Sequence, residues 1–133
     1  VHHIKMNDVA NPIDVSLNWN PSYSYASLPE GTHSLPQHWN VLLQPVEPAQ
    51  KGIPVFRNVT LQNMKASGAR TAINASGIDD SYLENFVLEN IEIRAQKAGK
   101  ISNTRNWLLK NVRILSRNKD NFIMNNNDNF VRE

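Results

Sequence analysis

The sequence predicts an all-β chain, a right-handed parallel β-helix (solenoid) of about four coils with one long proline-rich insertion. Three observations carry that expectation: a strand pattern that recurs four times, asparagines at fixed places within it, and a spacing too short for helical repeats. The copies are residues 3–9, 58–64, 85–91 and 106–112. Each reads Asn, apolar, any, apolar, any, Asn, apolar, with His3 and Asp8 taking the two asparagine places in the first.

Within each copy apolar and polar residues alternate with period two, which marks a strand with one buried face. Asparagine is disfavoured inside strands, so its recurrence calls for a cause. Stacking in register supplies one, because amide side chains of successive coils then hydrogen-bond along the stack. Each copy is followed by a second short apolar stretch, at residues 12–17, 72–75, 99–102 and 121–124, so one coil holds two or more strands. Asn58 to Asn85 is 27 residues and Asn85 to Asn106 is 21, too few for helical pairs, and the leucine signature of leucine-rich repeats is absent. Residues 76–81, Ser-Gly-Ile-Asp-Asp-Ser, have the composition of a turn between coils.

The whole chain, residues 1–133, reads as a single β-helix fragment: a first coil at 1–19, an insertion at 20–54, and the remaining coils with the C-terminal end at 55–133. Six of the seven prolines fall in the insertion together with Tyr23, Tyr25 and Trp39, and a short helix is expected around 36–43. Net charge is +2 and the basic residues are scattered, so neither nucleic acid nor membrane is an expected partner. No apolar run approaches the ~20 residues of a membrane span. Cysteine is absent, which excludes disulfides and thiolate metal sites. The four histidines lack ligand spacing, so no metal and no other cofactor is expected, and adjacent His2 and His3 should point to opposite faces of a strand. Asn58-Val59-Thr60 and Asn74-Ala75-Ser76 match the glycosylation acceptor pattern, but both fall in predicted strands where stacking explains the asparagines better.

Pro12-Ile13-Asp14-Val15, followed by the insertion and then Gly52-Ile53-Pro54-Val55-Phe56-Arg57-Asn58-Val59-Thr60-Leu61-Gln62-Asn63, resembles glycoside hydrolase family 28, the polygalacturonases and rhamnogalacturonan hydrolases. Tyr82-Leu83-Glu84-Asn85-Phe86-Val87-Leu88-Glu89-Asn90-Ile91 is similar to that family's last coils. The resemblance implies a secreted or periplasmic bacterial enzyme that hydrolyses α-galacturonosyl bonds of pectin with inversion, using one carboxylic acid and one carboxylate-activated water. The family's Asn-Thr-Asp, Asp-Asp, Gly-His-Gly and Arg-Ile-Lys motifs have no match at corresponding positions. The expectation is therefore a C-terminal part of such an enzyme, partnered by a missing N-terminal part, with no catalytic residue in this chain. Asp79 and Asp80 are assigned to the turn rather than to catalysis.

Six residues beyond Ile13, where the resemblance implies a sugar-contacting tyrosine, stands Trp19, and Tyr23 or Tyr25 is the nearby source of a hydroxyl. If Ile13, Val15 and Leu17 point inward, then Asp14, Ser16 and Asn18 face solvent, and Arg70 and Asn74 extend that face onto the next coil. The substrate-binding candidates are thus Asn18, Trp19, Tyr23, Arg70 and Asn74, with Arg70 as the guanidinium partner of a galacturonate carboxylate. The expected ligand is a pectic polysaccharide, galacturonan or rhamnogalacturonan. Self-association through an open β-helix end is also expected. The competing expectation is a noncatalytic solenoid that binds polysaccharide or serves a structural purpose.

Overall fold

The computed structural model describes residues 2–18, 20, 27, 28, 30–32 and 34–133. Its elements are β1 (His2–Asn7), β2 (Ile13–Ser16), α1 (Trp39–Leu42), β3 (Phe56–Ser76), β4 (Leu83–Ser116) and β5 (Ile123–Arg132). With 21 residues in β3, 34 in β4 and a single turn of α-helix, the described chain is all-β. It divides into two compact units, Val1–Leu17 with Val55–Glu133, and Asn18–Pro54.

Every pairing between these strands is parallel. The sheet runs β1-β3-β4-β5, with β2 also on β3. Phe56 lies opposite Leu83, Ile73 opposite Gly99 and Trp107 opposite Phe130, so residues at equivalent places in successive layers stack. β4 also lies beside itself: Asn106 bonds Asn85 and Asn111 bonds Asn90, 21 residues apart, and the Arg117 amide donates to the Ala95 carbonyl. A chain that meets itself in parallel must turn back between the two contacts.

Single residues in the left-handed region make many of these bends. A straight strand of the length of β3 would reach about 70 Å. Instead Asn58, Asn63 and Gly68 interrupt it at φ 62°, 55° and 73°, and Asn85, Asn90, Asn103, Asn106 and Asn111 do the same within β4. Asparagine is among the few non-glycine residues that visit this region readily. The asparagines also form the expected ladders. Asn85 donates to Asn58 (2.9 Å), Asn106 to Asn85 (3.1 Å) and Asn129 to Asn106 (2.8 Å), while a second ladder joins Asn63, Asn90 and Asn111. The Asn-pattern segment and the apolar stretch after it, expected as separate strands, are therefore one continuous strand in β3, because a left-handed residue redirects the chain without ending the pairing.

The first copy sits differently from its expected superposition. His2 pairs with Gln62 and Ile4 with Met64, which puts His3 in the column of Asn63 and not of Asn58. The two asparagine places of the pattern are five residues apart, so a slip by five residues preserves it. His3 (φ 57°) and Asp8 (φ 55°) occupy left-handed positions, and the Cβ an alanine would add at Gly68 falls against the Asp8 carboxylate. The left-handed backbone at His3 also breaks the alternation of faces. His2 and His3 do not diverge: their Nδ1 atoms approach to 2.7 Å and the rings meet edge to face.

Inward residues form one apolar cluster to which β2, β3 and β4 contribute, including Ile13, Met64, Ile73, Leu83, Phe86, Leu88, Ile93, Ile101 and Leu109. Aromatic rings stack through it, with Phe86 and Trp107 nearly parallel at 4.5 Å and Phe130 beyond at 6.3 Å from Trp107. Burial of such a ring stabilises by about 2–3 kcal/mol. The Trp107 indole N–H finds the Leu83 carbonyl at 2.9 Å, and buried Thr104 donates to Asn127 at 2.8 Å, so these polar groups lose nothing by burial.

In the other unit, α1 lies within the stretch where a helix is expected, and a 3-10 turn spans Ala49–Gly52. Among the described residues of this unit Val41 and Leu42 are exposed.

Asn106 separates backbone from ladder. Asn106→Ala should cost about 2 kcal/mol, since alanine resists left-handed φ and lacks the amide; Asn106→Gly should cost about half as much, since it keeps the bend. Urea unfolding midpoints of the two variants measure this, and equal losses would mean that the backbone conformation is not the constraint.

Candidate functional site

β2, β3 and β4 bring polar residues into rows across the layers because their registers coincide. Asp14 lies opposite Asn74, and Asn74 opposite Lys100, while the flanking Val15, Ala75 and Ile101 turn to the core. Alternation of faces thus places Asp14, Asn74 and Lys100 on one outer face.

A groove of about 360 Å³ opens on this face, lined by Asn11, Arg70, Thr71, Asn74, Lys97, Gly99, Lys100, Asp120 and Ile123. Two of the sequence-derived candidates, Arg70 and Asn74, are brought together here. The backbone at Arg70 is fixed: the amides of Arg70 and Thr71 both donate to the Ala10 carbonyl, at 3.0 and 3.1 Å. Asn74 donates to one oxygen of Asp14 (3.2 Å) and Asn11 to the other (3.0 Å), so the Asp14 carboxylate is held on both sides. Gly99 has φ 111°, and a Cβ there would press on the Ile73 carbonyl, so only glycine lets the two layers approach so closely at the groove.

Arg70, Lys97 and Lys100 give the groove three cations, none of which forms an ion pair among the described residues. Asp120 is the one anion in its lining. Its carboxylate accepts from the Ser116 hydroxyl and from the Ala98 amide (3.1 Å), and it feels Lys97. These contacts, led by the Ser116 hydrogen bond, hold its pKa below the ordinary aspartate value. A groove with three cations and one anion attracts carboxylates, and its amides offer hydrogen bonds to hydroxyls.

The other candidates lie elsewhere. Asn18 is exposed and belongs to the Asn18–Pro54 unit, whereas Trp19 and Tyr23 lie outside the described residues. Lys97, Lys100 and Asp120 escaped the sequence reading. Lys100 follows Asn74 by 26 residues, one layer on, and that spacing was the available signal. Asp79 and Asp80 are exposed in the turn closed by the Ile78–Ser81 bridge, where Asn103 donates to Asp79 at 3.3 Å.

Comparison with protein-family models, with curated proteins and with solved structures found no match. Among the described residues no cluster of three or more His, Asp and Glu is placed to hold a metal ion, and no helix is long and apolar enough to cross a membrane.

Asp120 has a lowered folded pKa, so the stability it contributes is present above the ordinary aspartate range and is lost as pH falls through the depressed value. Asp120→Asn should remove this part of the acid limb and leave the rest of the profile unchanged. Thermal midpoints across mildly to strongly acidic pH test it, and parallel profiles for the two proteins would count against the assignment.

Proposed function

We propose that the chain forms the substrate-groove layers of a pectin-degrading glycoside hydrolase, binding galacturonan or rhamnogalacturonan along the Arg70 groove without supplying the catalytic carboxylates. In this reading the parallel layers are coils of a right-handed β-helix. In-register parallel pairing at intervals of 21 to 27 residues supports it, as do the left-handed asparagines at the bends and the strong right-handed preference of parallel crossovers.

The observation that carries the binding role is the convergence of Arg70, Lys97 and Lys100 with Asn74 around one open groove. Galacturonan presents a carboxylate on every sugar, and a guanidinium and two ammonium groups lining one groove match that pattern. The groove crosses β-layers spaced about 4.8 Å apart, so a linear polymer meets a fresh set of side chains at each layer. Two carboxylates with displaced pKa, Glu89 and Asp120, are both shifted downward, Glu89 by its hydrogen bond from Gln62 and then by Lys110. A general acid at neutral pH needs the opposite shift. Neither Glu89 nor Asp120 is therefore a candidate for that acid.

Calorimetric titration with oligogalacturonate tests the reading. The unaltered chain should bind, Arg70→Gln and Lys100→Gln should each weaken binding about tenfold, equivalent to ~1.4 kcal/mol, and affinity should fall with added salt. The same samples should release no new reducing ends from polygalacturonate or rhamnogalacturonan. Turnover would overturn the noncatalytic assignment and return attention to Asp14, Asp79 and Asp80; binding unaffected by either substitution would overturn the groove.

A further inference from the structure

Outward-facing charges in the strand unit mostly compensate across the layers. Arg57 lies opposite Glu84, and Arg105 reaches Glu84 at 2.9 Å and Asp128 at 3.3 Å, so signs alternate down that column. Glu89 likewise stands between Gln62 (2.7 Å) and Lys110 (3.1 Å). Besides the Arg70 groove, a second place departs from this pattern. Lys5 lies directly opposite Lys65 on the neighbouring strand, both are exposed, and neither forms an ion pair among the described residues. Like charges in directly opposed positions destabilise a strand pair. The next residue in the column, Glu92, binds Arg94 at 3.5 Å, and Arg113 follows two places after Asn111 as Glu92 follows Asn90.

Two hollows meet at these residues. One, of about 350 Å³, lies among His3, Lys5 and Lys65; the other, of about 280 Å³, lies among Lys65, Glu92 and Arg113. They share Lys65 and Asn90 and so lie side by side across the layers, a shallow groove in two parts. Its floor is the second asparagine ladder, Asn63, Asn90 and Asn111, all exposed. An amide has two donor hydrogens and two lone pairs, and the ladder uses one of each at Asn90. The remainder faces outward, repeated at each layer about 4.8 Å apart.

We propose that this groove binds a linear acidic glycan, a chain with repeated carboxylate or sulfate groups, at a site separate from the Arg70 groove. An anionic group seated between Lys5 and Lys65 removes their repulsion, Arg113 meets a second anion further along, and the spare amide donors and acceptors take the hydroxyls between. Single-stranded nucleic acid fits less well, because base stacking needs aromatic platforms and the lining holds no ring apart from His3.

Lysine acetylation read by mass spectrometry tests the site in the intact chain. Size-defined oligogalacturonate or a heparin-derived oligosaccharide should protect Lys5 and Lys65 while Lys51 stays reactive, and Arg70→Gln should leave that protection unchanged. The double variant Lys5→Gln/Lys65→Gln should melt at higher temperature than the unaltered chain when no glycan is present, which also shows that it folds. Whichever oligosaccharide protects the lysines should raise its melting point less than it raises that of the unaltered chain, and combining the double variant with Arg70→Gln should reduce the rise further. Absence of protection at Lys5 and Lys65 with both oligosaccharides overturns the proposal whatever happens at Lys97 and Lys100. Equal protection by a single-stranded oligonucleotide overturns the glycan assignment.

Discussion

The strand unit depends on asparagine holding two jobs at one position. A left-handed backbone costs most L-residues about 1–2 kcal/mol, and a single such residue redirects a strand without ending its pairing. Asparagine accepts that conformation at low cost, and its amide then bridges to the asparagine of the next layer. Asn58, Asn85, Asn106 and Asn129 do both at once, with φ between 49° and 62° and amide contacts of 2.8 to 3.1 Å. Without the bend, β4 could not return to lie beside itself. Without the ladder, exposed amides at each corner would contribute nothing to the register.

From that constraint the inner and outer faces follow. Corners at matching places in each layer keep the intervening residues in step, so Phe86, Trp107 and Phe130 stack within the core while Arg57, Glu84, Arg105 and Asp128 stack outside it. Column chemistry is repeated from layer to layer by geometry alone. A column of alternating charge is self-satisfied and offers little to a ligand. The two grooves arise where the alternation fails, at Arg70, Lys97 and Lys100 on one face and at Lys5 and Lys65 on another.

Much of this could be read from residues. Period-two alternation and the fixed asparagines gave the all-β class, the parallel stacking and the layer length, because each is a local pattern with a direct physical cause. The register of the first layer could not be read so directly. Asparagine-type positions recur every five residues within a copy, so His3 and Asp8 match either place until the pairing of Ile4 with Met64 is seen. Positive φ at the asparagines was within reach, since asparagine is enriched there, yet strand patterning masks it. Arg70 and Asn74 were recoverable from alternation. Lys100 could be reached only through its 26-residue spacing from Asn74, and Lys97 not at all, because a scattered lysine acquires meaning only when a neighbouring layer places an arginine beside it.

The register also fixes how much chain each contact must enclose. Layers within β3, β4 and β5 meet residues 21 to 27 positions away, whereas Asn7 meets Ser67 and Asp14 meets Asn74 across 60 positions. Loop-closure entropy rises by roughly 0.6 kcal/mol for each doubling of the enclosed segment. Docking β1 and β2 onto β3 therefore carries the largest topological cost among these contacts, and the Asn18–Pro54 unit is the tether that sets it. Shortening or stiffening that tether is a way to change the stability of the first layer while leaving every residue of the other layers untouched.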